Sequence, residues 1–260
     1  MGALTVNLPE IPKSVDKACE NLTNKPTLEI GTTLADIWYL VFGEISERAE
    51  KKRLQAAKDF ADYKDELYAA EKAIPEERKQ EPKLQIAGPA LQKSQYCVEE
   101  KELREMFVNL ISRSMDKNYN TKIHPSFSEI IAQMSPLDAR VFNSLIISTI
   151  RPMISLEKKY LEDEGTTNIQ KHITWLNFAP ITLISESLDN LSRSGLVQLN
   201  DSESYTEKAN YKYVRDSPHF ILAKAQASDK IEEGNTIVET EGIIFITDFG
   251  KSFYEVCMKK

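Results

Sequence analysis

The sequence predicts a mainly α-helical fold, with an N-terminal helical bundle followed by a winged-helix-like α+β domain. Three observations lead to this prediction. Apolar residues recur at helical spacing through most of the first 150 positions. A heavily charged stretch at 44–73 has the pattern of one long helix within this bundle. From about residue 172 short strand-like runs alternate with helical ones, and the 41% hydrophobic content is enough for one large or two small domains.

These patterns divide the chain into four segments. Residues 1–26 are expected to form an extended lead-in and a short helix, and 27–157 the helical domain. The polar segment 158–171 is the predicted linker, because it lacks a clear apolar period. Residues 172–260 form the predicted winged-helix-like domain.

The long charged helix carries a narrow apolar stripe. Successive apolar positions from Ala49 are seven, four, three and four residues apart, and they end at Phe60, Tyr63 and Leu67. Such a stripe predicts a helix that packs along one side, with its charges in solvent. Phe60, Tyr63 and Leu67 are therefore our candidate residues for binding a partner protein.

The clearest helix of the bundle covers 99–115. Its large apolar residues recur at i, i+3, i+4, i+7, i+8 and i+12 on one continuous face, and they are Leu103, Met106, Phe107, Leu110, Ile111 and Met115. We interpret the methionines as packing residues. Two further helix starts follow, at 126–129 (SFSE) and 135–138 (SPLD), where a serine precedes an acidic residue by three positions.

The C-terminal 90 residues have the order of elements found in winged-helix domains. A helix at 185–194 is stopped by Gly195, whose lack of a side chain suits a helix C-terminus. Strands are predicted at 196–199, 211–214 and 243–246 because of their β-branched and aromatic content. Thr247 is predicted to open the final helix.

Four segments in this order and spacing resemble one known family. They are 86–91 (IAGPAL), 102–116, 124–139 and the tail 245–257 (FITDFGKSFYEVC). Together they resemble the Abi-alpha family, a bacterial domain of unknown function linked to abortive phage infection. The resemblance implies a cytoplasmic bacterial or prophage-encoded protein with a place in phage defence. It transfers no catalytic residue, because the family has none established.

The sequence contains no recognised catalytic or phosphate-binding motif. His124 precedes Pro125 at a helix start and is expected to cap or pack. His172 could pair with Asp189, or His219 with Asp216, and the sequence selects neither. Three widely spaced cysteines without a CxxC pair predict neither disulfide nor zinc site. We therefore expect no enzyme, no metal and no cofactor.

DNA binding is the first alternative function, because winged helices often bind DNA. Residues 181–260 contain 9 Lys+Arg against 13 Asp+Glu, the wrong sign for binding that depends on phosphate contacts. The candidate nucleic-acid contacts are Arg193, Lys208, Lys212 and Arg215.

The preferred function is that of a non-enzymatic interaction protein in the cytoplasm, with a host or phage protein as its partner. The start of the chain lacks the basic and apolar regions of a signal peptide. A second alternative is a membrane-active effector that would insert the apolar segment 34–42. Homo-oligomer formation stays open.

Overall fold

The computed structural model divides the chain into two compact units, Met1–Ala132 and Gln133–Lys260, which we call the first and the second unit. The residues that the structure describes are Leu34, Trp38, Val41, 54–160, 165–229, 231–232 and 234–259. The predicted lead-in at 1–26 and the first part of the predicted long helix, 44–53, lie outside these residues.

The described part of the first unit is helical. It contains α1 (Leu54–Lys72), α2 (Leu84–Ser94), α3 (Lys101–Ser114), a 3₁₀ turn (Lys117–Tyr119) and α4 (Phe127–Ala132). The predicted apolar face of α3 is confirmed, because all six of its large side chains are buried. Burying each of them contributes about 1.5–3 kcal/mol relative to exposure.

The loop after α1 is tied to the end of α3. The Arg78 guanidinium lies 2.8 Å from the carboxylate of Asp116, which is itself buried. The main-chain N–H of Gln80 donates to the carbonyl of Met115, and that of Lys117 donates to the carbonyl of Arg78. These bonds hold an otherwise charged and proline-flanked loop against the helical core.

The second unit contains a four-stranded antiparallel sheet with strand order β2-β1-β4-β3. Its elements are α5 (Pro136–Leu145), β1 (Ile150–Lys159), β2 (Thr166–Ile173), α6 (Ile181–Arg193), β3 (Val197–Asn200), a 3₁₀ turn (Lys208–Tyr211), α7 (Lys212–Arg215), α8 (Pro218–Asp229), β4 (Thr236–Ile246), α9 (Asp248–Phe253) and a π-helix (Tyr254–Met258). The described part of the chain is therefore mixed α+β.

Both predicted serine-to-acid helix starts coincide with helices, and the second is a complete capping box. The Ser135 hydroxyl accepts from the N–H of Asp138, whose carboxylate accepts from the N–H of Ser135. Thr247 likewise caps α9 by accepting from the N–H of Gly250 at 2.8 Å. These local signals fixed helix starts correctly because a cap depends only on neighbouring residues.

Two predictions about strands differ from the structure. The segment 158–171, predicted as a linker, instead contains the end of β1 and most of β2, with Lys158 opposite Thr167. The first four residues of β2 are exposed, so this edge strand carries no apolar alternation that sequence reading could detect. The predicted strand at 211–214 is helical, because Tyr211 and Val214 are buried together on one helical face.

Candidate functional site

The predicted partner-binding stripe on α1 faces the interior of the first unit. Tyr63 and Leu67 are 0% and 1% exposed, and Phe60 is half-buried. The ring of Tyr63 lies 5.5 Å from that of Trp38, and burial raises the pKa of Tyr63. Tyr63 and Leu67 therefore belong to the packing face of the helix and are not available to a partner in this structure, whereas Phe60 is partly exposed.

Two of the predicted nucleic-acid contacts face glutamates on β4. Arg215 donates to Glu239 at 2.9 Å and to Glu241 at 2.7 Å, and Lys208 is paired with Glu241. Lys224 lies 2.6 Å from Glu239. Burial alone would raise the pKa of both glutamates, but the hydrogen bonds and charges of these cations lower it overall. Three positive groups thus share two carboxylates, which neutralise most of their charge locally.

The other two candidate contacts are in different surroundings. The Arg193 guanidinium donates to Gln133 at 3.1 Å and to Asn190 at 2.7 Å, both neutral side chains. Lys212 is exposed on α7. Three of the four predicted contacts are therefore already engaged by groups of the second unit.

A polar cluster forms where β1, β2 and α6 meet, and His172 is at its centre. His172 has φ 53°, and no other non-glycine residue in the described ranges has a positive φ. The pairing of β1 with β2 shifts register between Ile154 and Leu156, which places a bulge beside it. Bulges and residues with a left-handed backbone are enriched at functional sites. A left-handed backbone is strained in a non-glycine residue, and it persists only where surrounding contacts stabilise it.

The side chain of His172 is buried against carboxylates. Its Nδ1 lies 3.2 Å from Asp189 Oδ1 on α6, although the described residues supply no well-directed hydrogen bond to it. Its main-chain N–H donates to the Ser155 hydroxyl, which lies 3.5 Å from Asp201 Oδ1. Burial lowers the pKa of His172 more than the nearby carboxylates raise it. The cluster therefore places a titratable histidine where β1, β2 and α6 meet.

The structure selects one of the two histidine pairs that the sequence left open. His172 and Asp189 come together, whereas no ion pair joins His219 to Asp216 in the part of the chain that the structure describes. Ser155 and Asp201 complete the cluster, and no sequence signal indicated them. His124 accepts from the N–H of Ser126, just before the first residue of α4.

We expect the second unit to lose stability as pH falls below 6.5, the ordinary pKa of histidine. Because the folded pKa of His172 is lowered, the unfolded chain binds its proton more readily, and acid therefore favours unfolding. The substitution His172→Asn removes the titration, and asparagine tolerates the left-handed backbone. Urea unfolding from pH 8 to 5 should show a smaller loss in the variant. An equal loss of stability with falling pH in the two proteins would contradict this role of His172.

A shallow cleft lies elsewhere in the second unit, beside the π-helix. Its volume is about 300 Å³ and its lining residues are Ile146, Thr149, Ile246, Lys251, Tyr254, Glu255 and Lys259. Lys251 is paired with Asp248 at 2.8 Å. In the described ranges, no three His, Cys, Asp or Glu side chains are grouped as a metal site would need.

The apolar segment proposed for membrane insertion is described at three positions. Leu34 and Trp38 are buried, and Val41 is half-buried. Among the described residues, no helix combines the length and the hydropathy that a bilayer crossing needs.

The described residues define an α+β protein, in which those of the first unit are helical and those of the second unit include the sheet. The family model described as abortive infection alpha matches residues 55–257, and the chain belongs to this family. This confirms the resemblance found in the sequence. No curated protein matches the chain.

One solved structure is similar to part of the chain. It is an uncharacterized protein from the hydrocarbon-degrading marine bacterium Alcanivorax borkumensis SK2, with 13% identity and a TM-score of 0.32. The alignment covers 55% of this chain and 96% of that one.

Proposed function

We propose that this protein acts in abortive infection as a recognition component that binds a host or phage protein in the bacterial cytoplasm. The observation that carries the proposal is the family match over residues 55–257, which covers part of the first unit and nearly all of the second. Recognition rather than bond-making is favoured because Ser155 is engaged by Asp201 and by a main-chain N–H, not by the His172 ring.

Exposed apolar side chains of the second unit support protein contact. Ile221 and Leu222, adjacent on α8, are 59% and 53% exposed. Large apolar side chains that are exposed together are typical of interaction surfaces. The second unit is thus better suited to binding than the buried stripe of α1.

We also propose that α6, β3, β4 and α9 form a winged-helix-like module used for protein contact. The order helix, strand, strand, helix and the antiparallel β3–β4 pair support this comparison. Helical residues replace the predicted middle strand, and β1 and β2 extend the sheet. The paired Lys208 and Arg215 make DNA binding the less supported use of such a module.

The proposal is tested by phage plating on bacteria that express the chain. We expect a reduction of about tenfold or more in plaque number, together with death or arrest of the infected cells. The double variant Ile221→Asp, Leu222→Asp should lose protection, whereas Ala225→Asp, Gln226→Asp, which adds the same two charges at exposed positions of the same helix, should keep it. Plating equal to that on cells with an empty vector, for a broad phage panel, would refute the proposal.

A further inference from the structure

The loop 174–180, between β2 and α6, carries two aromatic rings that each lie under an arginine. The Cζ atom of Arg151, from β1, is 5.2 Å from the centre of the Trp175 ring. The Cζ atom of Arg140, from α5, is 4.8 Å from the centre of the Phe178 ring. Tyr213 meets Trp175 edge-on at 5.5 Å. We call these five residues the arginine–aromatic surface.

The two arginines differ from three other arginines of the described residues in their charge partners. Arg78, Arg104 and Arg215 each contact a carboxylate. No carboxylate pairs with Arg140 or Arg151 in the described ranges, although the chain has 40 acidic and 33 basic residues. A guanidinium has five N–H donors and no acceptor, so its preferred partner is an oxyanion. These two guanidinium groups can thus donate hydrogen bonds to a carboxylate of another molecule.

The rings keep the guanidinium groups in place without neutralising them. Stacking on an aromatic face orients a guanidinium and leaves its edge able to bind a carboxylate with two parallel hydrogen bonds. Arg140 is exposed, and Arg151 is half-buried; the Arg151 Nε is itself buried and has no hydrogen-bond partner in the described residues, so only its terminal nitrogens could meet a partner. Burial raises the pKa of Tyr213, and the Arg151 charge only partly offsets this effect. The site therefore combines oriented positive charge with apolar area.

The same residues offer apolar contact area beside the charges. Tyr213 is 41% exposed, and Phe178 is exposed to a similar degree. Tryptophan, tyrosine and arginine are the residues most enriched among those that dominate binding energy in protein interfaces. This composition fits a partner segment in which carboxylates alternate with apolar side chains.

A protein partner fits the surface better than a nucleic acid. Nucleic-acid binding gains affinity from many phosphate contacts, and residues 133–260, which hold the whole surface, carry 14 Lys+Arg against 18 Asp+Glu. Two separate guanidinium groups need only two carboxylates. Trp175 and Phe178 are three positions apart, so the two arginine–ring pairs lie on one short loop.

We propose that the arginine–aromatic surface binds an acidic segment of a partner protein, with two carboxylates on Arg140 and Arg151 and an apolar side chain against the rings. This inference rests on the proposed recognition function and names its partner class. The segment is defined by its chemistry, as two acidic residues flanking apolar ones in an extended conformation.

The test uses a fluorescein-labelled synthetic octapeptide in which two glutamates flank two leucines and the other residues are serine. Fluorescence polarisation with the full chain should show saturable binding. The double variant Arg140→Gln, Arg151→Gln should weaken it by about tenfold or more, since both cations that bind the peptide carboxylates are removed. Arg113→Gln is the control for the single change Arg140→Gln, because it removes one charge from a ring-stacked arginine of the first unit, 5.1 Å from the Tyr119 ring.

Several outcomes would overturn the inference. They are absence of saturable binding, unchanged binding by the double variant, and equal binding of a peptide with lysines in place of the glutamates. Tighter binding of an oligothymidine strand that the double variant loses would assign the surface to nucleic acid instead. Because Arg151 is half-buried, circular dichroism checks folding, and the exposed single change Arg140→Gln must weaken binding by itself.

The plating assay separates this inference from the proposed function. Continued protection by the double variant would refute the surface and leave the role in abortive infection standing. Selective peptide binding by a chain that gives no protection would refute the role and support the surface.

Discussion

Replacing Gly250 by alanine should destabilise the second unit by about 3 kcal/mol. A Cβ at this position would lie 2.1 Å from the carbonyl oxygen of Leu196 and 3.0 Å from its carbonyl carbon. Both atoms belong to the backbone, so neither can move aside as a flexible side chain would. The expected result is a clear fall in the urea midpoint, followed by Trp175 fluorescence in a Trp38→Phe background.

The contact at Gly250 is part of a short hydrogen-bonded crossing. Thr247 donates from its hydroxyl to the carbonyl of Gly195 at 2.7 Å, and from its N–H to the carbonyl of Leu196 at 3.2 Å. The same hydroxyl accepts from the N–H of Gly250, so the start of α9 lies directly on the turn after α6. An added methyl group would separate these segments and break several bonds together.

The control for this substitution is Gly88→Ala in α2. A Cβ at Gly88 meets no atom within 4 Å, and alanine in a helix interior is more favourable than glycine by about 0.5–1 kcal/mol. The control should therefore raise stability slightly. Equal effects of the two substitutions would show that α9 does not approach Leu196 as closely as the structure places it.

Helices were predictable where the signal is local. The face of α3 and the cap of α5 depend on residues within a few positions of one another, and both are present in the structure. Apolar residues that recur with the helical period form one face, and that face packs against neighbouring helices. The family resemblance rested on the same segments, and for that reason it was also found from sequence.

The sequence pattern did not predict strand β1, because the strand contains Pro152. Proline disfavours a central strand, because it removes a ladder donor. Pairing with β2 begins only at Ile154, so at Pro152 the strand is paired with β4 alone, opposite Ile243. The proline therefore lies where β1 is still an edge, and this cannot be known before the register is known.

The polar cluster and the arginine–aromatic surface both depend on contacts distant in sequence. His172 and Asp189 are 17 positions apart on different elements, and a bulge decides which way the histidine faces. Arg140 and Phe178 come together only because α5 packs with α6, where Asn190 donates to Asp138 at 2.9 Å. Periodicity predicts elements, but these juxtapositions follow from how the elements pack.

The substitution Leu67→Ala should lower the stability of the first unit by about 2–5 kcal/mol. Leu67 is fully buried one turn from Tyr63, and removing its methyl groups leaves a cavity that the surrounding helices fill only partly. Trp38 fluorescence in a Trp175→Phe background reports on this core, because the Trp38 and Tyr63 rings are in contact.

Asp65→Ala, an exposed change on the same helix, should alter stability by less than about 0.5 kcal/mol. A partner-binding role for the stripe makes the opposite prediction for Leu67→Ala, because an exposed contact residue can be truncated with little effect on the isolated chain. If Leu67→Ala unfolds at the same urea midpoint as the unaltered protein, then Phe60, Tyr63 and Leu67 lie on the surface and α1 is not part of the core. A large loss of stability would instead show that the narrow stripe is the side through which this highly charged helix packs against the rest of the first unit.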